Sequence, residues 1–144
     1  MKRKLIFFLP FLLMLGAGCL KGHDDVSNPL PKISGTYSGQ FIRLRLNPNT
    51  NKYDTLKADI TLSLDLTTGF AVSGDTTAHA ASKGDYSYDS YYFLFSDKTY
   101  PTGSYPSKVH LAGTYVYGYN GTRLQLQQTY PLDTLGYFYD LTKN

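Results

Sequence analysis

The chain holds few groups able to do covalent, acid–base or metal chemistry. It has one cysteine, three histidines and eleven acidic residues, every one of them Asp. With Cys19 as the lone thiol, no intrachain disulfide can form. His23, His79 and His110 share no metal-ligand spacing with one another or with a cysteine pair. In the stretch KVHLAG, His110 alternates with Val109 and Leu111, which reads as a residue on a strand face rather than a catalyst. No nucleophile elbow and no glycine-rich phosphate loop is present. The expectation is therefore no catalytic residue, no metal and no cofactor.

The abundant chemistry is aromatic. All 14 tyrosines lie beyond residue 36. A phenol offers a flat apolar ring with a polar tip, suited to stacking on sugars or gripping amphipathic molecules. Residues 96–108, SDKTYPTGSYPSK, carry Tyr100 and Tyr105, each followed by proline, in the longest loop of the later half. A long loop with paired aromatics could form a lid over a binding mouth, so Tyr100 and Tyr105 are candidate ligand contacts. The plainer alternative is ordinary packing, since β proteins favour tyrosine anyway.

The setting of Cys19 carries more information than its reactivity. The chain opens with Lys2, Arg3 and Lys4, runs through eleven residues without a polar side chain, LIFFLPFLLML, and then through Gly16, Ala17 and Gly18 to the cysteine. A cationic head, a short apolar run and small residues before a cut describe a secretory signal peptide. The run is shorter than the ~20 residues of a membrane span. Its end resembles the lipobox of bacterial lipoproteins, in which an aliphatic residue and two small residues precede the cysteine. That resemblance implies cleavage before Cys19 and lipid attachment to its sulfur. Gly16 departs from the pattern, which prefers Leu there. The alternative is an ordinary secreted protein with an incidental thiol. Two or three acyl chains at about 0.8 kcal/mol per buried CH₂ would hold the domain at a membrane without a protein span.

The organisation expected is a signal peptide over residues 1–18, a flexible tether over 19–32 and a folded domain over 33–144. The tether begins LKGHDD, loosely similar to the short Lys-plus-acid segment that follows the cysteine in surface-exported lipoproteins of one Gram-negative phylum. The resemblance places the protein at the outer membrane, on either its periplasmic face or the cell surface. The formal charge of +3 resides wholly in the leader: past Cys19, eleven Lys and Arg balance eleven Asp. No basic stripe remains, so no nucleic-acid partner is expected.

The domain reads as strands. In residues 57–66, KADITLSLDL, apolar and polar residues alternate strictly, the mark of a half-buried strand. The stretch FIRLRL at 41–46 also alternates, and predicts Ile42, Leu44 and Leu46 inward with Arg43 and Arg45 in water. The intervening NPNTNKYD reads as a hairpin loop. Asn120-Gly121 predicts a tight turn with positive φ at both positions. Tyr115, Tyr117 and Tyr119 share one face, as do Leu124 with Leu126, and Leu135 with Tyr137, Tyr139 and Leu141. Shorter strands are expected at 69–74, 84–88 and 91–95, and 109–112 should run on through a bend at Gly113. Residues 76–80 are an uncertain candidate.

About eight consecutive strands without an amphipathic helix predict an all-β, antiparallel up-and-down barrel, with a two-sheet sandwich as the alternative. Such a barrel is filled by side chains or holds one small ligand. The order GTYSGQF, LAGTYVYGYNGTRLQL and YDLTK resembles small lipocalin-like lipoprotein domains of the same phylum, although the chain has no Trp for the Gly-x-Trp motif of true lipocalins. The resemblance implies a barrel and no particular activity. Asp54-Thr55-Leu56, Asp75-Thr76-Thr77 and Asp133-Thr134-Leu135 resemble an O-glycosylation acceptor motif of that phylum, which makes Thr55, Thr76 and Thr134 candidate modification sites; Asp-Thr is also a common turn pair. The function expected is a lipid-anchored envelope domain that binds a small hydrophobic, amphipathic or carbohydrate ligand. The alternative is a non-catalytic accessory domain that contacts another envelope protein or a glycan.

Overall fold

The computed structural model describes residues 29–103, 106–131 and 134–144. Eight antiparallel strands follow in chain order: β1 (Gly35–Asn47), β2 (Lys52–Asp65), β3 (Gly69–Gly74), β4 (Lys83–Tyr88), β5 (Tyr92–Asp97), β6 (Gly113–Tyr119), β7 (Arg123–Thr129) and β8 (Leu135–Lys143). Each pairs with the next, and β8 returns to pair with β1, closing the barrel in place of a sandwich. Closure leaves no free strand edge to template aggregation. The thinnest seam is between β3 and β4, where the ladder consists of Phe70 opposite Gly84 and Ala71 opposite Lys83. A bond from the Val72 amide to the Ser82 carbonyl extends it.

With an even number of strands, the chain enters and leaves at the same end. There Ile33 is fully buried, and Tyr86 donates to its carbonyl while its amide donates to the Tyr88 hydroxyl. Tyr88 also donates to the Pro31 carbonyl. The incoming segment is thus clasped by two phenols of β4 and plugs the entry end of the barrel.

A continuous column of rings fills the lumen from that plug upward. Phe93 lies 5.0 Å from Tyr88 and 5.2 Å from Phe95, centroid to centroid. Phe95 meets Tyr115 edge-on, Tyr115 meets Tyr139, and Tyr139 meets Phe41. Phe41 in turn packs edge-on against the His79 ring at 4.8 Å. Leu62, Leu124, Leu126 and Leu141 fill between the rings, all essentially unexposed. Aromatic pairs in such tilted and edge-to-face arrangements add about 0.5–1.5 kcal/mol each beyond burial.

The face of β1 is the reverse of that expected from alternation. Phe41 sits opposite Ala58 on one side and Tyr139 on the other, all three buried. Arg43, two residues on, therefore faces inward near the far end, while Ile42 and Leu44 lie on the outer wall beside Phe138. Register has period two, so a single residue flips the whole set. The pattern FIRLRL has an apolar residue on each face; Tyr37 and Phe41 together outweigh Ile42 and Leu44, because two large rings bury more area than two aliphatic chains. Gly39 shares the inward face, and a Cβ there would collide with the Asp140 carbonyl oxygen, so the close approach of β1 to β8 requires glycine.

Three turns also differ in detail. Residues 52–54 belong to β2, leaving Pro48 to Asn51 as the loop, with Asn51 at φ 52°. After β6, only Gly121 takes positive φ, because the loop has three residues and is set by the Asn120 side chain accepting from the amides of Thr122 and Arg123. Residues 109–112 do not extend β6; Gly113 turns the chain at φ 89°, and Val109 instead bridges in parallel with His79.

The register generates a prediction. Phe41→Ala should cost about 3–5 kcal/mol in urea unfolding, as a fully buried ring does, whereas Ile42→Ala should cost about 1 kcal/mol or less. The opposite order would restore the alternation-based reading of β1.

Candidate functional site

Opposite the plugged end, the barrel opens into a polar cavity of about 170 Å³. Arg43 from β1, Gln128 from β7 and Tyr137 from β8 form one wall; Tyr100, Lys108 and His110 from the β5–β6 connection and Tyr130 after β7 form the other. The cavity lies where these strands end and the longer loops gather, so rigid strands set one wall and a loop closes it.

Below the cavity, the β3–β4 connection tucks His79 into the barrel. Its side chain is completely unexposed. The Ala80 carbonyl, 2.6 Å from Nδ1, can only accept, so Nδ1 carries the hydrogen. Nε2 then accepts from the Tyr139 hydroxyl at 2.8 Å. Burial pushes the imidazole down to about 4, outweighing the favourable Ala80 bond, so it is neutral at neutral pH. His79 is a stopper at the top of the aromatic column. The signal available in sequence was an isolated histidine among alanines, which does not distinguish a plug from a loop. Tyr115, fully buried, packs edge-on against Tyr139 beneath it.

His110 stands on the cavity wall with Nδ1 2.6 Å from Oδ2 of Asp97, whose side chain is fully buried. Burial alone would raise the Asp97 carboxyl, but bonds from Thr99, His110 and Ser82 outweigh it and hold it below the usual range. The ionised carboxylate therefore accepts from the histidine and fixes its orientation. Thr99 supplies both its amide and its hydroxyl to the same carboxylate, bracing the start of the β5–β6 connection. An oriented imidazole can act as a proton acceptor in general-base chemistry, yet no hydroxyl among the described residues hydrogen-bonds to it.

Three tyrosines complete the cavity. Tyr100 packs against the His110 ring at 5.1 Å, and Tyr130 meets Tyr137 edge-on at 5.8 Å. Burial first, then the neighbouring Tyr130 phenol, raise Tyr137, while Arg43 and Arg45 pull it back. Arg43 and Tyr137 stand directly opposite each other across the β1–β8 seam. Arg43 Nε is buried and has no hydrogen-bond partner among the described residues. Alternation placed Arg43 in water, so sequence reasoning missed it.

Of the other candidate residues, Tyr100 lines the cavity and is about half exposed. Tyr105 and Cys19 lie outside the described residues. Thr55, Thr76 and Thr134 are all exposed. Thr55 is inside β2 opposite Leu44 rather than in a turn, and Thr134 donates to the Pro131 carbonyl. His110 and the three threonines lie toward the open end, but only His110 borders the cavity.

A second surface is apolar and lies outside the barrel. Ile42, Leu44, Val116, Gln127 and Phe138 line a groove of about 590 Å³ along the wall of β1, β8, β7 and β6. No protein-family model matches the chain, no curated relative does, and no solved structure matches it significantly.

The neutral His79 makes stability depend on pH. Its folded value near 4 lies below the unfolded 6.5, so the unfolded chain binds more protons between them. Stability should be full above pH 6.5 and fall by roughly 3 kcal/mol as the pH drops to 4. The hydrogen-bonded carboxylates of Asp97 and Asp140 add losses only below their unfolded 3.8. Urea midpoints measured across this window should slope steeply in the native chain and flatten in His79→Gln; an equal slope in both would place the titration elsewhere.

Proposed function

We propose that the protein is a lipid-anchored domain of the cell envelope that binds a small polar ligand at the open end of its barrel. The observation that carries this reading is the cavity itself, where Arg43, Lys108, His110 and three tyrosine rings converge from four separate segments. Binding sites pair apolar or aromatic walls with a few convergent polar groups. The aromatic column from Tyr88 to His79 argues against a ligand within the lumen. The ligand is therefore small and polar rather than a long hydrophobic chain.

The anchor rests on the leader and Cys19. A tether that joins at the plugged end would leave the open end turned away from the membrane, free to meet solutes. The Asp97–His110 pair reads as a brace, since Asp97 is engaged by Thr99 of the same connection and the domain is taken as non-catalytic. A second reading, an accessory domain docked on another envelope protein, is favoured by the apolar groove on the outer wall.

Cys19→Ala should move the protein from the membrane fraction to the soluble fraction of an expressing bacterium, and metabolic labelling with an alkyne fatty acid should be lost with it. Continued sedimentation with membranes would remove the anchor. For the docking reading, Ile42→Lys with Val116→Lys should shift a detergent-solubilised complex to the size of the single chain on gel filtration; unchanged elution contradicts it.

A further inference from the structure

We propose that the cavity at the open end is a carboxylate site, in which Arg43 anchors the carboxylate of a small organic acid or of an acidic sugar residue. The inference deepens the ligand-binding reading above and rests on it.

Charge is the first argument. Arg43 and Lys108 line the cavity, and no Asp does. Arg45 lies close enough to influence Tyr137. The nearby acids are engaged elsewhere: Asp97 accepts from Thr99 and His110, and Asp75 accepts from the Thr77 amide. Among the described residues no carboxylate pairs with Arg43 or Lys108. Two cations and no carboxylate thus line the cavity, although the domain as a whole is neutral.

The guanidinium is the second argument. Arg43 Nε is enclosed and has no hydrogen-bond partner among the described residues, while the side chain lines the cavity. A guanidinium is a planar fork that receives both oxygens of a carboxylate along parallel N–H bonds. In a half-enclosed cavity beside Tyr137, such a pair gains more than it would on an open surface.

The walls define the rest of the ligand. Tyr100, Tyr130 and Tyr137 offer flat faces and Ser107 a polar group, while Gln128 is engaged by the Thr114 carbonyl and the Tyr130 hydroxyl. At ~30 Å³ per water, 170 Å³ equals roughly six waters, room for one compact solute or one sugar ring. A fatty acid does not fit, because its chain would have to enter the column below His79.

Calorimetry on the full-length chain in detergent tests this with D-glucuronate, benzoate, D-glucose and inorganic phosphate. Glucuronate, benzoate or both should bind, with glucose at least about tenfold weaker, the loss expected for one charged hydrogen-bonded contact. Glucuronate alone assigns an acidic sugar, and benzoate alone assigns a free organic acid. Arg43→Gln should weaken binding about 10- to 100-fold, Arg43→Lys should restore part of it, and Lys57→Gln, on the outer wall, should change nothing. Melting temperatures of the variants confirm that each is folded. Phosphate binding as tightly as the carboxylates would overturn the carboxylate assignment. Glucose binding equal to glucuronate, insensitive to Arg43→Gln but lost in Tyr130→Ala, would overturn it while leaving a ligand site at the mouth. No amide shift around residues 43, 110, 128 and 137 with any probe at millimolar concentration would remove both.

Discussion

The orientation of β1 controls everything else. This strand pairs with both β2 and β8, so its face decides which side chains enter the barrel at the closing seam. Phe41 turned inward completes the aromatic column and gives His79 a ring to rest on. The same choice carries Arg43 into the mouth and leaves Ile42 and Leu44 outside. One packing preference thus produces the core, the cation of the cavity and the apolar groove together. A slip of one residue would exchange all three.

The column of rings has consequences beyond stability. Eight-stranded barrels are near the size at which side chains just fill the interior. Here Phe93, Phe95, Tyr115, Tyr139 and Phe41 occupy the axis, with Ile33 stopping one end and His79 the other. A filled interior pushes recognition to the rims and the outer wall. One rim is spent on clasping the incoming chain through Tyr86 and Tyr88. The other retains unfilled space, a guanidinium nitrogen without a hydrogen-bond partner among the described residues, and exposed rings. The division of labour follows from an even strand count, which puts the start of β1 and the end of β8 at one end.

The architecture was legible in the sequence wherever alternation had one clear apolar face. Residues Ala58 to Leu64 of KADITLSLDL, the three tyrosines at 115, 117 and 119, and the set from Leu135 to Leu141 face as their spacing implies, whereas Leu66 lies past the end of β2 in an exposed turn. FIRLRL did not, because both of its faces carry large apolar groups and only the partners on β2 and β8 decide between them. Asn120-Gly121 marked the right hairpin but not its length, since the Asn120 side chain caps three residues as readily as two. The site was less legible. Tyr100 stood out as an exposed aromatic in a long loop, whereas Arg43 was concealed by the misread strand. His79 meets Tyr139 across 60 residues and Asp97 meets His110 across 13, over the β5–β6 connection, and no local pattern announces such pairs.

Side-chain contacts across the closing seam test the account most directly. In a nuclear Overhauser spectrum of the labelled domain, the Phe41 ring should show contacts to the rings of Tyr139 and His79, while the Ile42 methyls contact only the Phe138 ring and solvent-facing neighbours. Ile42 methyls in contact with Leu62 or Leu124, and a Phe41 ring without aromatic neighbours, would contradict it and take Arg43 out of the mouth.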